Sequence, residues 1–118
     1  MLLKAAVYAR YSSGLQRATS IEDQIGLCRE AAQKFNCLIL EDQIYTDHEI
    51  SGTVEQRPGY IRLMTAARAS QFDAVLIEAQ DRLWRDQGEM HSALKRLRFW
   101  GIKVLSVSTG SDLTDRAG

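Results

Sequence analysis

Short apolar runs alternate with stretches of helical apolar spacing, and that alternation restricts the chain more than any other feature. Leu2 to Ala9, interrupted by Lys4, Cys37 to Leu40 (weakly extended to Tyr45), Ala74 to Ile77, and Ile102 to Val107 are nearly continuous. Strands covered on both faces read this way. After the first run, Ile21, Ile25, Cys28, Ala31, Ala32 and Phe35 recur at spacings of three and four, the stripe of an amphipathic helix. Thr19, with Glu22 three residues on, supplies a capping box to start it. The only proline, Pro58, suits the first turn of a second helix carried by Tyr60, Ile61, Leu63, Met64 and Ala67. A third helix runs roughly from Gln87 to Trp100, with Met90, Leu94 and Leu97 on one face and Gly101 placed to end it. Residues from Ser108 onward show no periodicity and no expected docking element. The order strand, helix, strand, helix, strand, helix, strand requires crossover connections. The expected fold is α/β: three layers, a mostly parallel sheet of four to five strands, and helices on both faces.

A length of 118 residues fits one domain with a real core. Fifteen basic residues balance fifteen acidic ones, which argues against a domain that holds nucleic acid by bulk charge. A few arginines focused on one phosphate remain compatible with that balance. Cys28 and Cys37 lie in no CxxC pair and read as buried, reduced thiols of a cytosolic protein. No apolar run reaches the ~18 residues of a membrane span, and the first residues read as structure rather than as a leader.

Ligands of open α/β sheets gather at the carboxyl ends of the parallel strands. Those ends fall at Arg10–Arg17, Thr46–Arg57, Glu78–Asp86 and from Ser108, where the sequence places its unusual residues. In an extended backbone Tyr8, Arg10 and Ser12 project to one side. Asp47, Ser51, Gly52 and Arg57 lie in a loop leading to the proline-started helix. Arg82 and Arg85 share a face if a helical turn begins at Asp81. Arg10, Arg57, Arg82 and Arg85 should therefore converge with a serine on one sheet edge. Arginine presents planar N–H forks that match phosphate oxygens, and such a cluster suits a phosphodiester under nucleophilic attack. The plainer reading pairs Arg82 and Arg85 with Asp81 and Asp86 on a solvated helix start.

Five collinear pieces resemble the catalytic domain of the serine site-specific recombinases, the resolvase and invertase superfamily. They are Tyr8-Ala-Arg-Tyr-Ser12, Ser20-Ile-Glu-Asp-Gln24, Asp47 with Ser51-Gly52, Arg57-Pro58-Gly59, and Asp81-Arg82-Leu-Trp-Arg85. The stretches Thr19–Gln24 and Arg57–Tyr60 look most like the large serine integrase and transposase branch. The resemblance runs from about Val7 to Thr114. It implies a resolvase-like fold and DNA strand cleavage and rejoining through a covalent 5′-phosphoserine, without cofactor or metal. By residue matching, Ser12 rather than Ser13 is the nucleophile. Arg10, Arg82 and Arg85 contact the scissile phosphate, with Arg57 in the same cluster. Tyr8, Gln16, Gln24, Asp47, Ser51 and Asp81 support the site, and Asp73 is structural. The general base stays open between Asp81 and water. Trp84 departs from the small residue more usual between the paired arginines. The resemblance also implies a double-stranded DNA site as partner, self-association of the full-length parent into dimer or tetramer, and a cytoplasmic location. The 118 residues are expected to be one catalytic domain that stops before a long dimerisation helix and a DNA-binding domain. The alternative is an inactive fragment that only folds or self-associates.

Other chemistries lack their residues. There is no GxSxG elbow for a Ser-His-Asp hydrolase and no Gly-Lys-Ser/Thr for a P-loop. A phosphoacceptor receiver would carry acidic residues where Arg10 and Ser12 stand. His48, beside Asp47 and Glu49, has no second histidine at ligand spacing and reads as a surface loop residue. Lys95-Arg96-Leu97-Arg98 reads as the solvated face of the third helix, and Trp84 and Trp100 as packing.

Overall fold

Among the residues that the computed structural model describes, 2–11, 20–48, 57–84 and 86–115, five strands form one sheet in the order β2-β1-β3-β4-β5. β1 (Leu3–Tyr11), β2 (Cys37–His48), β3 (Ala74–Ile77) and β4 (Lys103–Ser106) are parallel. β5 (Ser111–Asp112) pairs antiparallel to β4. The helices are α1 (Ile21–Ala32), α2 (Pro58–Arg68), the single turn α3 (Gln80–Leu83) and α4 (Gln87–Phe99). The three-layer α/β expectation holds.

Strand alternation divides the core in two. Ala5, Val7, Ala74, Leu76 and Leu105 pack with Cys28 and Ala32 of α1 on one face. Ala6, Tyr8, Val75, Ile77 and Val104 pack with Leu63 and Ala67 of α2 and Leu94 and Leu97 of α4 on the other. β1 and β3 are buried on both faces, which is why their sequences run apolar without alternation.

β2 is longer than its apolar run suggested. Its pairing with β1 breaks between Ala5↔Ile39 and Val7↔Ile44, so residues 40–43 form an irregular excursion, and the ladder then resumes. The resumed part pairs Ala9 with Thr46, Arg10 with Asp47 and Tyr11 with His48. Asp47 and His48 therefore belong to a strand, not to the loop expected for them. β2 is an edge strand, and half-exposed edge residues need no continuous apolar pattern.

The N-cap of α1 is Ser20, whose side chain accepts from the Asp23 N–H at 3.0 Å, one residue later than the capping box placed it. α4 ends as expected at Gly101. Its φ of +76° lets the Gly101 N–H reach Arg98 O at 3.0 Å and the Ile102 N–H reach Leu97 O at 2.9 Å, a Schellman motif. α2 ends in the same motif, but with Ser70 at φ +59° in the left-handed position. Beyond β4 the chain docks after all: β5 pairs with β4, Leu113 N–H donates to Val104 O at 2.7 Å, and Arg98 Nε donates to Thr114 O at 2.9 Å. A two-residue strand is too short to leave a periodic signature. Asp73 is structural, exchanging hydrogen bonds with Lys4: its N–H donates to Lys4 O at 2.7 Å, and its Oδ2 accepts from Lys4 N–H at 3.0 Å.

Candidate active site

Arg10 stands near the carboxyl end of β1. Gln24, fully buried on α1, clamps its backbone: Oε1 accepts from Arg10 N–H at 3.1 Å and Nε2 donates to Arg10 O at 3.0 Å. The guanidinium, thus aimed, crosses to α3, where Nε donates to Arg82 O at 3.0 Å and Nη2 to Asp81 O at 2.5 Å. Burial, and then the neighbouring positive charge of Arg57, lower the Arg10 pKa from its ordinary value.

Arg57 enters from the start of α2. As the residue before a proline it is held extended, with φ −109° and ψ 102°. Its Nη1 donates to the same Arg82 carbonyl at 3.3 Å, its Cζ lies 5.2 Å from the centre of the Tyr60 ring, and Glu89 Oε1 stands 4.0 Å from Nη2. Arg57 is fully buried, yet among the described residues its Nε and Nη2 have no hydrogen-bond acceptor. Buried donors of this kind cost about 1–3 kcal/mol each when left unmade.

What fixes Arg57 is a cap supplied from another element. Arg57 is the N-cap of α2 but offers no side-chain cap, and Pro58 has no N–H. The next two N–H groups, of Gly59 and Tyr60, donate to Asp47 of β2, at 2.8 Å to Oδ1 and 3.0 Å to Oδ2. Asp47 Oδ2 also accepts from Tyr8 OH at 2.6 Å. A carboxylate at this helix end also meets the positive end of the helix dipole. Gly59 is required by proximity, because a Cβ there would overlap the Thr46 carbonyl oxygen and lie 2.9 Å from Asp47 Oδ2. Tyr8 is wholly buried, and its pKa is raised by that burial and then by the hydrogen bond to Asp47. Tyr8 and Asp47 thus anchor α2, and with it Arg57.

Arg82, on α3, is fully buried and ion-paired with Glu78: Nε and Nη2 each lie 3.0 Å from Glu78 Oε1. The solvated pairing with Asp81 and Asp86 does not describe it. The Asp81 side chain is half exposed, 3.8 Å from Arg82 Nε, and Asp86 instead caps α4 by accepting from Glu89 N–H at 2.9 Å. Trp84 is buried and donates from its indole to Tyr60 OH at 3.1 Å, so it packs between α3 and α2. His48 is exposed at the end of β2. Ser12, Ser13, Gln16, Ser51 and Arg85 lie outside the described residues.

The structure therefore brings together Arg10, Arg57 and Arg82, with Tyr8, Gln24, Asp47 and Asp81 around them. Sequence reasoning missed Glu78, Glu89 and Tyr60. Glu78 was legible only as a lone carboxylate at the end of an apolar strand, and the contact of Tyr60 with Arg57 only as a three-residue spacing on a helix.

A parallel α/β sheet that gathers guanidinium groups from three strand ends defines a domain suited to phosphodiester chemistry. The chain belongs to the resolvase family: the family described as Resolvase, N terminal domain, matches residues 5–118. The N-terminal catalytic domain of TP901-1 integrase is similar with a TM-score of 0.81 and 28% identity, over 98% of this chain and 85% of that one. The C-terminal catalytic domain of ISC1926 TnpA, an IS607-like serine recombinase, gives a TM-score of 0.73 and 29% identity, over 88% and 70%. A resolvase family site-specific recombinase from Streptococcus pneumoniae shares the fold, with a TM-score of 0.78 and 21% identity over 98% and 78%. No curated protein matches the sequence. By family and fold this is a catalytic domain of the serine recombinase type.

Proposed function

We propose that this domain cleaves and rejoins DNA strands in the site-specific recombination of a mobile element, with Ser12 as nucleophile. The observation that carries the reading is the cluster itself. Arg10 and Arg57 both donate to the Arg82 carbonyl, and two buried N–H groups of Arg57 lack an acceptor among the described residues. A phosphate oxygen would satisfy such donors and gains charge in the transition state, where fixed guanidinium groups act most strongly. In the proposed step the Ser12 oxygen bonds to phosphorus as the bond from phosphorus to the 3′ oxygen breaks. The serine proton passes, through Asp81 or water, to the departing 3′-hydroxyl. The 5′-phosphoserine keeps the bond energy, and attack by a 3′-hydroxyl reverses the step. In this reading Arg85 joins Arg10 and Arg82 at the phosphate, and Gln16 and Ser51 are supporting positions.

Stable hold on double-stranded DNA and assembly into dimer or tetramer belong, in this reading, to segments outside these 118 residues, consistent with the zero net charge. Two free, buried cysteines suit a cytoplasmic protein, and among the described residues no helix is long and apolar enough to cross a membrane. One observation favours a second reading, an inactive module: the Arg82 guanidinium is buried against Glu78. A single assay separates the two. Supercoiled DNA carrying a recombination site, incubated with the protein and its downstream sequence, should yield covalent protein–DNA adducts. They should vanish in Ser12→Ala with folding intact, persist in Ser13→Ala, and fall sharply in Arg82→Lys, since an ammonium cannot reproduce the fork. Absence of adducts with the downstream sequence present would leave the module.

A further inference from the structure

The outer face of α2 and α4 carries a feature that the arginine cluster does not use. Two hollows of about 370 and 470 Å³ share Arg68, Arg96 and Trp100 as walls and form one groove between the helices. Its apolar surface comes from Ile61 and Met64 on α2 and from Phe99 and Trp100 at the end of α4. Phe99 is 88% exposed, the most exposed large apolar side chain among the described residues, and Ile61 is 47% exposed. Lys95 with Phe99, and Arg96 with Trp100, are four residues apart on α4, so each cation stands one turn from an aromatic on the same face. Arg68 faces them from α2. Among the described residues no Asp or Glu lines either hollow, although the chain has fifteen. The expected solvated face of α4 is therefore half of a groove.

We propose that this groove docks an acidic amphipathic helix of a partner protein, whose apolar side chains fill the hollows while its carboxylates meet Arg68, Lys95 and Arg96. Exposed aromatics beside arginines are the composition of interface centres rather than of ordinary surface. The charge lining selects the sign of the partner, and the hollows select its shape. Duplex DNA fits less well, because a phosphate backbone has no apolar groups for Ile61, Met64 and Phe99 to cover. The groove runs from Tyr60, beneath the arginine cluster, to Arg68 and Phe99 at the far end of the helices, so a docked helix leaves the strand-end site open.

The test uses the whole chain and a fluorescein-labelled sixteen-residue helical peptide of leucine and glutamate, read by anisotropy and by Trp100 emission. Micromolar binding that weakens with salt is expected, with a blue shift of Trp100. The same peptide with lysine for glutamate should bind at least tenfold more weakly. Phe99→Ser and Arg96→Glu change exposed side chains and should each lower affinity at least tenfold. Arg68→Glu, on the other helix, repeats the test should either variant fail to fold by circular dichroism. Equal binding of both peptides, or unchanged affinity in folded variants, would overturn the proposal. It would also fall if labelled duplex DNA displaced the peptide and lost affinity in the same variants, or if Phe99→Ser merely dissolved a dimer of the chain. None of these readouts depends on DNA cleavage.

Discussion

Asp47→Asn should test the trans cap of α2 most directly. Asp47 is buried and accepts three hydrogen bonds, from Tyr8 OH, Gly59 N–H and Tyr60 N–H. An asparagine has one acceptor oxygen. Placed at the Oδ2 position, it keeps the Tyr8 and Tyr60 bonds but turns its NH₂ toward the Gly59 N–H. The loss is one charge-assisted hydrogen bond, about 1.5–3 kcal/mol, with a buried donor now facing a donor. Removing the charge from the helix end costs about 0.5–1 kcal/mol more. The sum is about 2–4 kcal/mol. Unfolding entropy of about 0.25 kcal/mol/K for a chain of this length makes that a fall in Tm of about 8–16 °C. Thermal and urea unfolding followed by circular dichroism would measure it. Tyr8→Phe removes one donor and should cost about 1–2 kcal/mol. In the double variant the two costs should fall short of additive by up to about 1 kcal/mol, because the uncharged asparagine oxygen accepts the Tyr8 hydrogen bond more weakly than the carboxylate does. An Asp47→Asn protein within about 0.5 kcal/mol of the parent would show that α2 is not capped from β2.

Three other outcomes follow from the same geometry. Gly59→Ala should destabilise by about 2–4 kcal/mol, because its Cβ meets the Thr46 carbonyl, a backbone group that cannot swing aside; a urea midpoint unchanged from the parent would contradict that contact. Ser70→Gly should stabilise by about 1 kcal/mol, since Ser70 is exposed and holds φ +59° at the end of α2, and a lower Tm would refute the strain. Burial, and then the charge of Glu78, push the Cys28 thiol up to about 12. The folded protein then keeps a proton that the unfolded chain releases above about pH 9, so this stability is present below pH 9 and is lost as pH rises toward 12. Urea midpoints between pH 8.5 and 10.5 should correspond to a fall of up to ~1.4 kcal/mol per pH unit, and Cys28→Ala should flatten that slope; equal slopes would exclude Cys28 as the source.

Legibility in the sequence followed burial. β1 and β3 could be read because both faces are covered, and α1 and α4 because each buries a single stripe. The second half of β2 could not, since an edge strand that breaks register at residues 40–43 has no repeating pattern to show. The convergence of Arg10, Arg57 and Arg82 followed from topology alone: parallel strands put all their carboxyl ends on one edge. The orientation of those arginines did not follow. It depends on which carbonyl each guanidinium finds, and main-chain carbonyls carry no sequence signal. For the same reason Glu78 gave no warning. A carboxylate after an apolar strand reads as a surface residue until the partner that buries it is known.

The choice of acceptors carries the functional consequence. Three guanidinium groups crowded together repel one another, and carboxylates would be the simplest remedy. Among the described residues only Arg82 takes a close one, at 3.0 Å from Glu78, while Glu89 stays 4.0 Å from Arg57. Arg10 and Arg57 are oriented instead by the Arg82 and Asp81 carbonyls, which accept hydrogen bonds without cancelling charge. Burial first, and then the nearby charge of Arg57, lower the Arg10 pKa in the free protein. Under the proposed function, a dianionic transition state at the cluster would relieve the same repulsion, and that relief would favour the reacting phosphate over the ground state. Had Asp or Glu paired with each arginine, the fold would be more stable and the site electrically mute. Among the described residues, the sparing use of carboxylates around Arg10 and Arg57 is thus what the proposed phosphate-binding role requires and a structural ion-pair network would not.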